Sequence, residues 1–75
     1  MADNDVAYSV ECQIFGHPIR PGITKRMDAP TALSVFETLN KTGNPLKIYR
    51  GTWISGSMLS SREEIKEAEL RRAAQ

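Results

Sequence analysis

The 75 residues hold one cysteine, one histidine and one tryptophan, alongside two phenylalanines and two tyrosines. Cys12 alone cannot close an internal disulfide, and with His17 it falls short of the four ligands of a structural zinc site. No apolar run exceeds a few residues, and no basic stretch leads into a hydrophobic core near Met1. Neither a membrane span nor a signal peptide is therefore expected, and the single thiol fits reducing, cytoplasmic surroundings. Charge of one sign is also missing, because the net formal charge is only +1.

The pairs and triads of enzyme chemistry are scarce as well. A Cys–His nucleophile is the first enzyme reading to test, and Cys12 falls among apolar neighbours, where burial raises a thiol pKa and silences it. His17, between Gly16 and Pro18, reads as a surface residue with no acid or hydroxyl placed to orient it. Gly51 and Gly56 have the spacing of a phosphate loop, but Ser57 stands where the phosphate-binding lysine belongs. No cofactor and no metal is expected, and a non-enzymatic protein is.

What the chain does contain is pattern. Val6, Tyr8, Val10, Cys12 and Ile14 alternate with Ala7, Ser9, Glu11 and Gln13, the signature of a half-buried strand whose first set meets a core and second set meets water. Two prolines and two glycines between Gly16 and Gly22 exclude a helix there. Pro21-Gly22 fits the centre of a type II turn, which predicts a long hairpin loop and a short return strand over 23–27. Asp28 then offers an N-cap carboxylate and Pro30 a first-turn residue. From there to about Lys41, Ala29, Ala32, Leu33, Val35, Phe36 and Leu39 gather in an arc of about 160° at ~100° per residue, predicting a helix with one buried face. Gly43 and Asn44-Pro45 end it.

Leu46 to Ile54 reads as a second strong strand, in which Arg50-Gly51 marks either a bulge or a tight turn dividing it into a hairpin. Ser55-Gly56-Ser57 reads as a break, after which Met58 and Leu59 tuck over the core edge. Ser60 with Glu63, and Ser61 with Glu64, have capping-box spacing, predicting a helix from Arg62 to about Ala74. Its apolar residues do not align, since Leu70 lies about 140° round from Ile65, so the helix is expected either to project into solvent or to be ordered by another molecule. The expected chain is thus a frayed start over 1–5, an α+β core over 6–59 and a polar C-terminal helix over 60–75. The fold class is a small single-layer antiparallel sheet of three to four strands packed on one central amphipathic helix, in the order β-β-α-β-(β)-α.

Charge is unevenly placed even though it nearly balances. Residues 16–55 carry Arg20, Lys25, Arg26, Lys41, Lys47 and Arg50 against Asp28 and Glu37, leaving +4 on that segment. On an unbroken strand Lys47, Tyr49 and Trp53 share a face, beside which Arg50, Arg20, Lys25 and Arg26 extend a basic patch. Trp, Tyr and Arg dominate protein interfaces, so these seven residues are the candidate contact surface for a larger protein. The runner-up is RNA or DNA, with the aromatics stacking on bases and the cations meeting phosphates. Self-pairing through an exposed edge of the first strand, giving a homodimer, is a further form of the binding reading. The size, the missing catalytic groups and the compact layout resemble the small accessory proteins of phages and mobile elements, many of which inhibit a host enzyme or defence complex by binding it. That resemblance implies an inhibitor acting by attachment, with no membrane involved.

Overall fold

The computed structural model describes residues 6–23, 25–54 and 59–75. The expected frayed start, the break at 55–57 and Met58 lie outside them. The elements are β1 (Val6–Ile14), β2 (His17–Ile19), α1 (Ala29–Asn40), β3 (Leu46–Trp53), β4 (Leu59–Ile65) and α2 (Glu67–Ala73). The strands form one antiparallel sheet in the order β2-β1-β3-β4. This is the α+β class read from the sequence, with four strands and both helices on one face of the sheet.

That face is built from Tyr8 and Val10 of β1, Ile48 of β3 and Ile65 of β4, covered by Ala29, Ala32 and Phe36 of α1, Leu70 of α2 and Met27 of the connecting loop. Leu33, Val35 and Leu39 pack against the same cluster, so the whole predicted arc of α1 faces inward. Asp28 caps α1 as expected, accepting from the Thr31 amide at 3.0 Å. Gly43, at φ +79°, follows its last turn. Cys12 is fully buried.

Four expectations are corrected, and the choice at Arg50-Gly51 falls to a bulge rather than a turn. The β1–β2 hairpin has no long loop: Ile14 pairs with His17, so only Phe15 and Gly16 turn the chain, and the return strand is 17–19 rather than 23–27. Pro18 is tolerated in β2 because an edge strand can spare one amide. Residues 20–23 and 25–27 instead run along β1, where the Pro21 and Met27 carbonyls accept from the Val10 and Tyr8 amides at 3.2 and 3.0 Å. This second cover explains why Ala7 and Ser9, read as solvent-facing, are 0% and 1% exposed, with Ser9 Oγ donating to the Pro21 carbonyl at 3.0 Å.

Gly51 does not divide β3. The strand is continuous against β1, and the irregularity falls on β4, where Arg50 faces Glu63 but Thr52 faces Ser60. Two residues, Ser61 and Arg62, therefore stand opposite one, a β-bulge with Ser61 at φ +53°. The predicted 62–74 helix is in fact two elements. Ile65 ends β4, Lys66 is the N-cap, and the Lys66 amide donates to Glu69 at 3.5 Å in place of either serine box. Ile65 and Leu70 each reach the core from their own element, so α2 is docked rather than solvated. Finally, β1 is not an edge: it is paired on both sides, which removes self-pairing through that strand.

Candidate functional site

Because both helices pack on one face, the other face of the sheet is left without a helix. Odd-numbered residues of β1 and β3 share it: Ser9 lies opposite Tyr49 and Glu11 opposite Lys47. Beyond β1, Arg20 follows β2; beyond β3, the bulge in β4 presents Arg62 while Glu64 lies opposite Tyr49.

These side chains form a row from Arg20, just past β2, across β1 and β3 to β4. Arg20 Nε donates to Glu11 Oε2 at 3.0 Å. The Tyr49 hydroxyl donates to Glu11 Oε1 at 3.2 Å, and the Arg62 guanidinium sits 5.5 Å from the centroid of the Tyr49 ring, a cation–π distance. Glu11, Arg20, Tyr49, Ser60, Ser61 and Arg62 line an open groove of about 540 Å³. A smaller one of about 190 Å³, lined by Glu11, Gln13, Pro45 and Lys47, adjoins it through Glu11.

The electrostatics follow from these contacts. The Arg20 hydrogen bond, helped by the Tyr49 hydroxyl, holds the Glu11 carboxyl below its ordinary 4.5. Partial burial and the neighbouring Glu11 charge push the Tyr49 phenol above its ordinary 10.0. Near neutrality the row is therefore a carboxylate with both oxygens engaged, a protonated phenol and two guanidinium groups. Arg62 makes no ion pair with any described carboxylate and lines the groove beside the Tyr49 ring. Such a surface can accept carboxylate or carbonyl oxygens and offer apolar ring edges.

Of the seven residues read from the sequence, Arg20 and Tyr49 meet in this groove, Lys47 borders it, and half-buried Trp53 is on the same face farther along β3. Arg50 is not on it. It lies opposite Tyr8 on the helix-covered side, and its Nη2 is 2.6 Å from Glu63, which raises its pKa. Lys25 is exposed between β2 and α1, and Arg26 Nη2 donates to the Val6 carbonyl at 3.1 Å. The +4 of the middle segment is thus spread over both faces rather than gathered into one patch.

Three participants were not among the seven. Glu11 and Arg62 join the row only through pairing between strands distant in sequence, for which no local signal exists. The third is Phe15, whose ring is 95% exposed at the hairpin turn. His17 is exposed, and among the described residues no group of three His, Cys, Asp or Glu side chains is placed to hold a metal ion. No described helix is long and apolar enough to cross a membrane. Comparison with family models, curated proteins and solved structures finds no match to this chain.

Proposed function

We propose that this chain is a non-enzymatic interaction module that binds a larger protein through the helix-free face of its sheet. The observation that carries the reading is the row Arg20–Glu11–Tyr49–Arg62, flanked by Lys47 and Trp53 on that face. Tyr, Trp and Arg combine large contact area with directed polar groups, the composition of interface hot spots. The row is also braced before any partner arrives, so little side-chain freedom remains to be lost on binding. Attachment to a host enzyme or defence complex, as an inhibitor of the phage and mobile-element type in a cytoplasmic setting, is the form of this function that the sequence resemblance favours.

Nucleic acid is the second reading, and two contacts weigh against it. Base stacking needs a free ring face, while Arg62 covers one face of Tyr49. Glu11 and Glu64 also share the surface that phosphates would approach. A homodimer joined edge to edge has little support either, since β2 carries Pro18 and β4 carries Arg62, Glu63 and Glu64, features that deter strand pairing.

The test is binding of the purified partner, isolated by affinity capture and identified by mass spectrometry, followed by calorimetry. Trp53→Ala and Arg62→Ala should each weaken binding at least about tenfold, ~1.4 kcal/mol, whereas Arg50→Ala, on the covered side, should change it far less. Equal losses from all three would remove the open face from the account. Affinity for a mixed oligonucleotide falling linearly in log K with log salt would favour the second reading.

A further inference from the structure

The β1–β2 turn consists of Phe15 and Gly16, at φ +50° and +81°. Two positive φ values in a two-residue hairpin loop match the type I′ turn, whose first position favours Asn, Asp or Gly. Phenylalanine there meets the steric cost of the left-handed region and has no side-chain polar group to compensate it. Its ring is also 95% exposed, against 51% for Ile54, the next most exposed large hydrophobic among the described residues. Backbone strain and bare apolar surface thus fall on one residue, and neither serves the folded monomer.

We infer that Phe15 is an anchor that inserts into an apolar socket, the size of one aromatic ring, on a protein partner. The inference rests on the protein-binding reading above and names the feature of the partner that this end of the molecule recognises. A two-residue turn fixes where the side chain leaves the backbone, so little of the chain has to be ordered when the ring docks. The tip adjoins the open face through Gln13, which lines the smaller groove with Glu11, so one partner can cover both. A bilayer is a poorer occupant. One ring gives marginal anchoring without a basic cluster, the neighbours Gln13, Gly16, His17 and Pro18 supply no Lys or Arg, and Arg20 is engaged by Glu11. A second copy is also poorer, because the larger groove of the open face is lined chiefly by polar groups, Glu11, Arg20, Ser60, Ser61 and Arg62 among them.

The test uses Phe15→Asn, Phe15→Leu and a chain with p-benzoylphenylalanine at position 15. Phe15→Asn restores the favoured turn residue, so its urea midpoint should rise above the wild-type value. Its affinity for the purified partner should fall at least tenfold, with Phe15→Leu between the two. In the producing cell, illumination should give one discrete protein adduct, displaced by excess wild-type chain and not by Phe15→Asn, with the crosslink mapping to an apolar pocket of the purified partner. A lowered midpoint in Phe15→Asn would assign the ring to the fold and overturn the inference. So would equal competition by Phe15→Asn, the absence of a discrete adduct, an adduct between two copies, or co-flotation with phosphatidylcholine–phosphatidylserine vesicles that Phe15→Asn abolishes. If Phe15→Asn binds like wild type while Arg62→Ala does not, the anchor fails and the protein-binding reading stands. If neither variant alters binding, both fail.

Discussion

Gly22 is where backbone crowding is most acute. It sits at φ +95° in the Arg20–Ile23 turn, and a Cβ built there would lie 2.4 Å from the Tyr8 carbonyl oxygen and 2.8 Å from Met27 Cε. Backbone cannot yield as a flexible side chain can, so the turn at residues 20–23 lies against β1 only because this residue lacks a side chain. Gly22→Ala should therefore destabilise the fold by more than ~1 kcal/mol, measured by urea unfolding. Gly16→Ala, with nothing within 4 Å of its Cβ, faces only the positive φ and should lose less. Equal losses would mean that crowding against β1 is not what constrains position 22.

Glu11 and Tyr49 make a second prediction at the same scale, with opposite signs at the two ends of the pH range. The folded pKa of Glu11 is depressed, so its contribution is complete above the ordinary 4.5 and fades as pH falls through the lowered folded value. The Tyr49 value is raised, so its contribution is complete below 10.0 and is lost as pH rises through the folded value. Glu11→Gln should flatten the acid side of the stability–pH curve by about 1 kcal/mol or less, the pair being solvent-accessible. The same substitution should move the Tyr49 phenolate midpoint, followed by ultraviolet absorbance against a Tyr49→Phe control, back toward the ordinary phenol value. An unmoved midpoint would show that Glu11 does not hold the phenol proton.

At the scale of elements, the β4–α2 junction shows what local pattern reveals and what it hides. The bounds of β1 are legible in its alternating sequence, though not the burial of Ala7 and Ser9, and α1 is legible because its cap, first-turn proline and apolar arc agree. Ile65 and Leu70 instead form a pattern that fits no helix, since one belongs to a strand and the other to the helix after it. The mismatch was itself the signal of a boundary at Lys66. The hairpin turn was hidden for a different reason: Phe15 carries no turn preference, while Pro21-Gly22 does, and that pair forms a turn of its own, closed by the Ile23 amide donating to the Arg20 carbonyl at 3.3 Å. In the candidate site Tyr49 and Arg20 were legible by residue type, whereas Arg62 depends on a bulge and Arg50 on strand parity.

The docking of α2 gives the prediction for this scale. Leu70 is 0% exposed, and Arg71 bridges Glu37 of α1 at 3.1 Å and Glu67 at 2.7 Å. Leu70→Ala should destabilise the whole protein by about 2–5 kcal/mol, with a single cooperative transition in urea by both circular dichroism and Trp53 fluorescence. Arg71→Ala should cost far less than Leu70→Ala because the bridges are exposed. A Leu70→Ala loss below ~0.5 kcal/mol would return α2 to the status of a solvated appendage.

For the molecule as a whole, the division of labour between the two faces of one sheet links fold to function. A four-stranded sheet needs one covered face to be stable. The helices provide it, leaving the opposite face free to carry charge and aromatic rings that contribute little to folding. Substitutions across a single strand should therefore separate by parity. Ile48→Ala, directed at α1 and α2, should lose about 2–5 kcal/mol, while Lys47→Ala, its neighbour on the open face, should stay within ~0.5 kcal/mol. Arg62→Ala should lose no more than about 1 kcal/mol, the worth of an exposed cation–π contact. All three are measurable by urea unfolding at one pH. The binding assay should rank Ile48→Ala lowest among the three for affinity lost per molecule still folded, and Arg62→Ala highest. If stability and binding instead fall together at every position, the open face belongs to the core, and a partner must engage the molecule elsewhere.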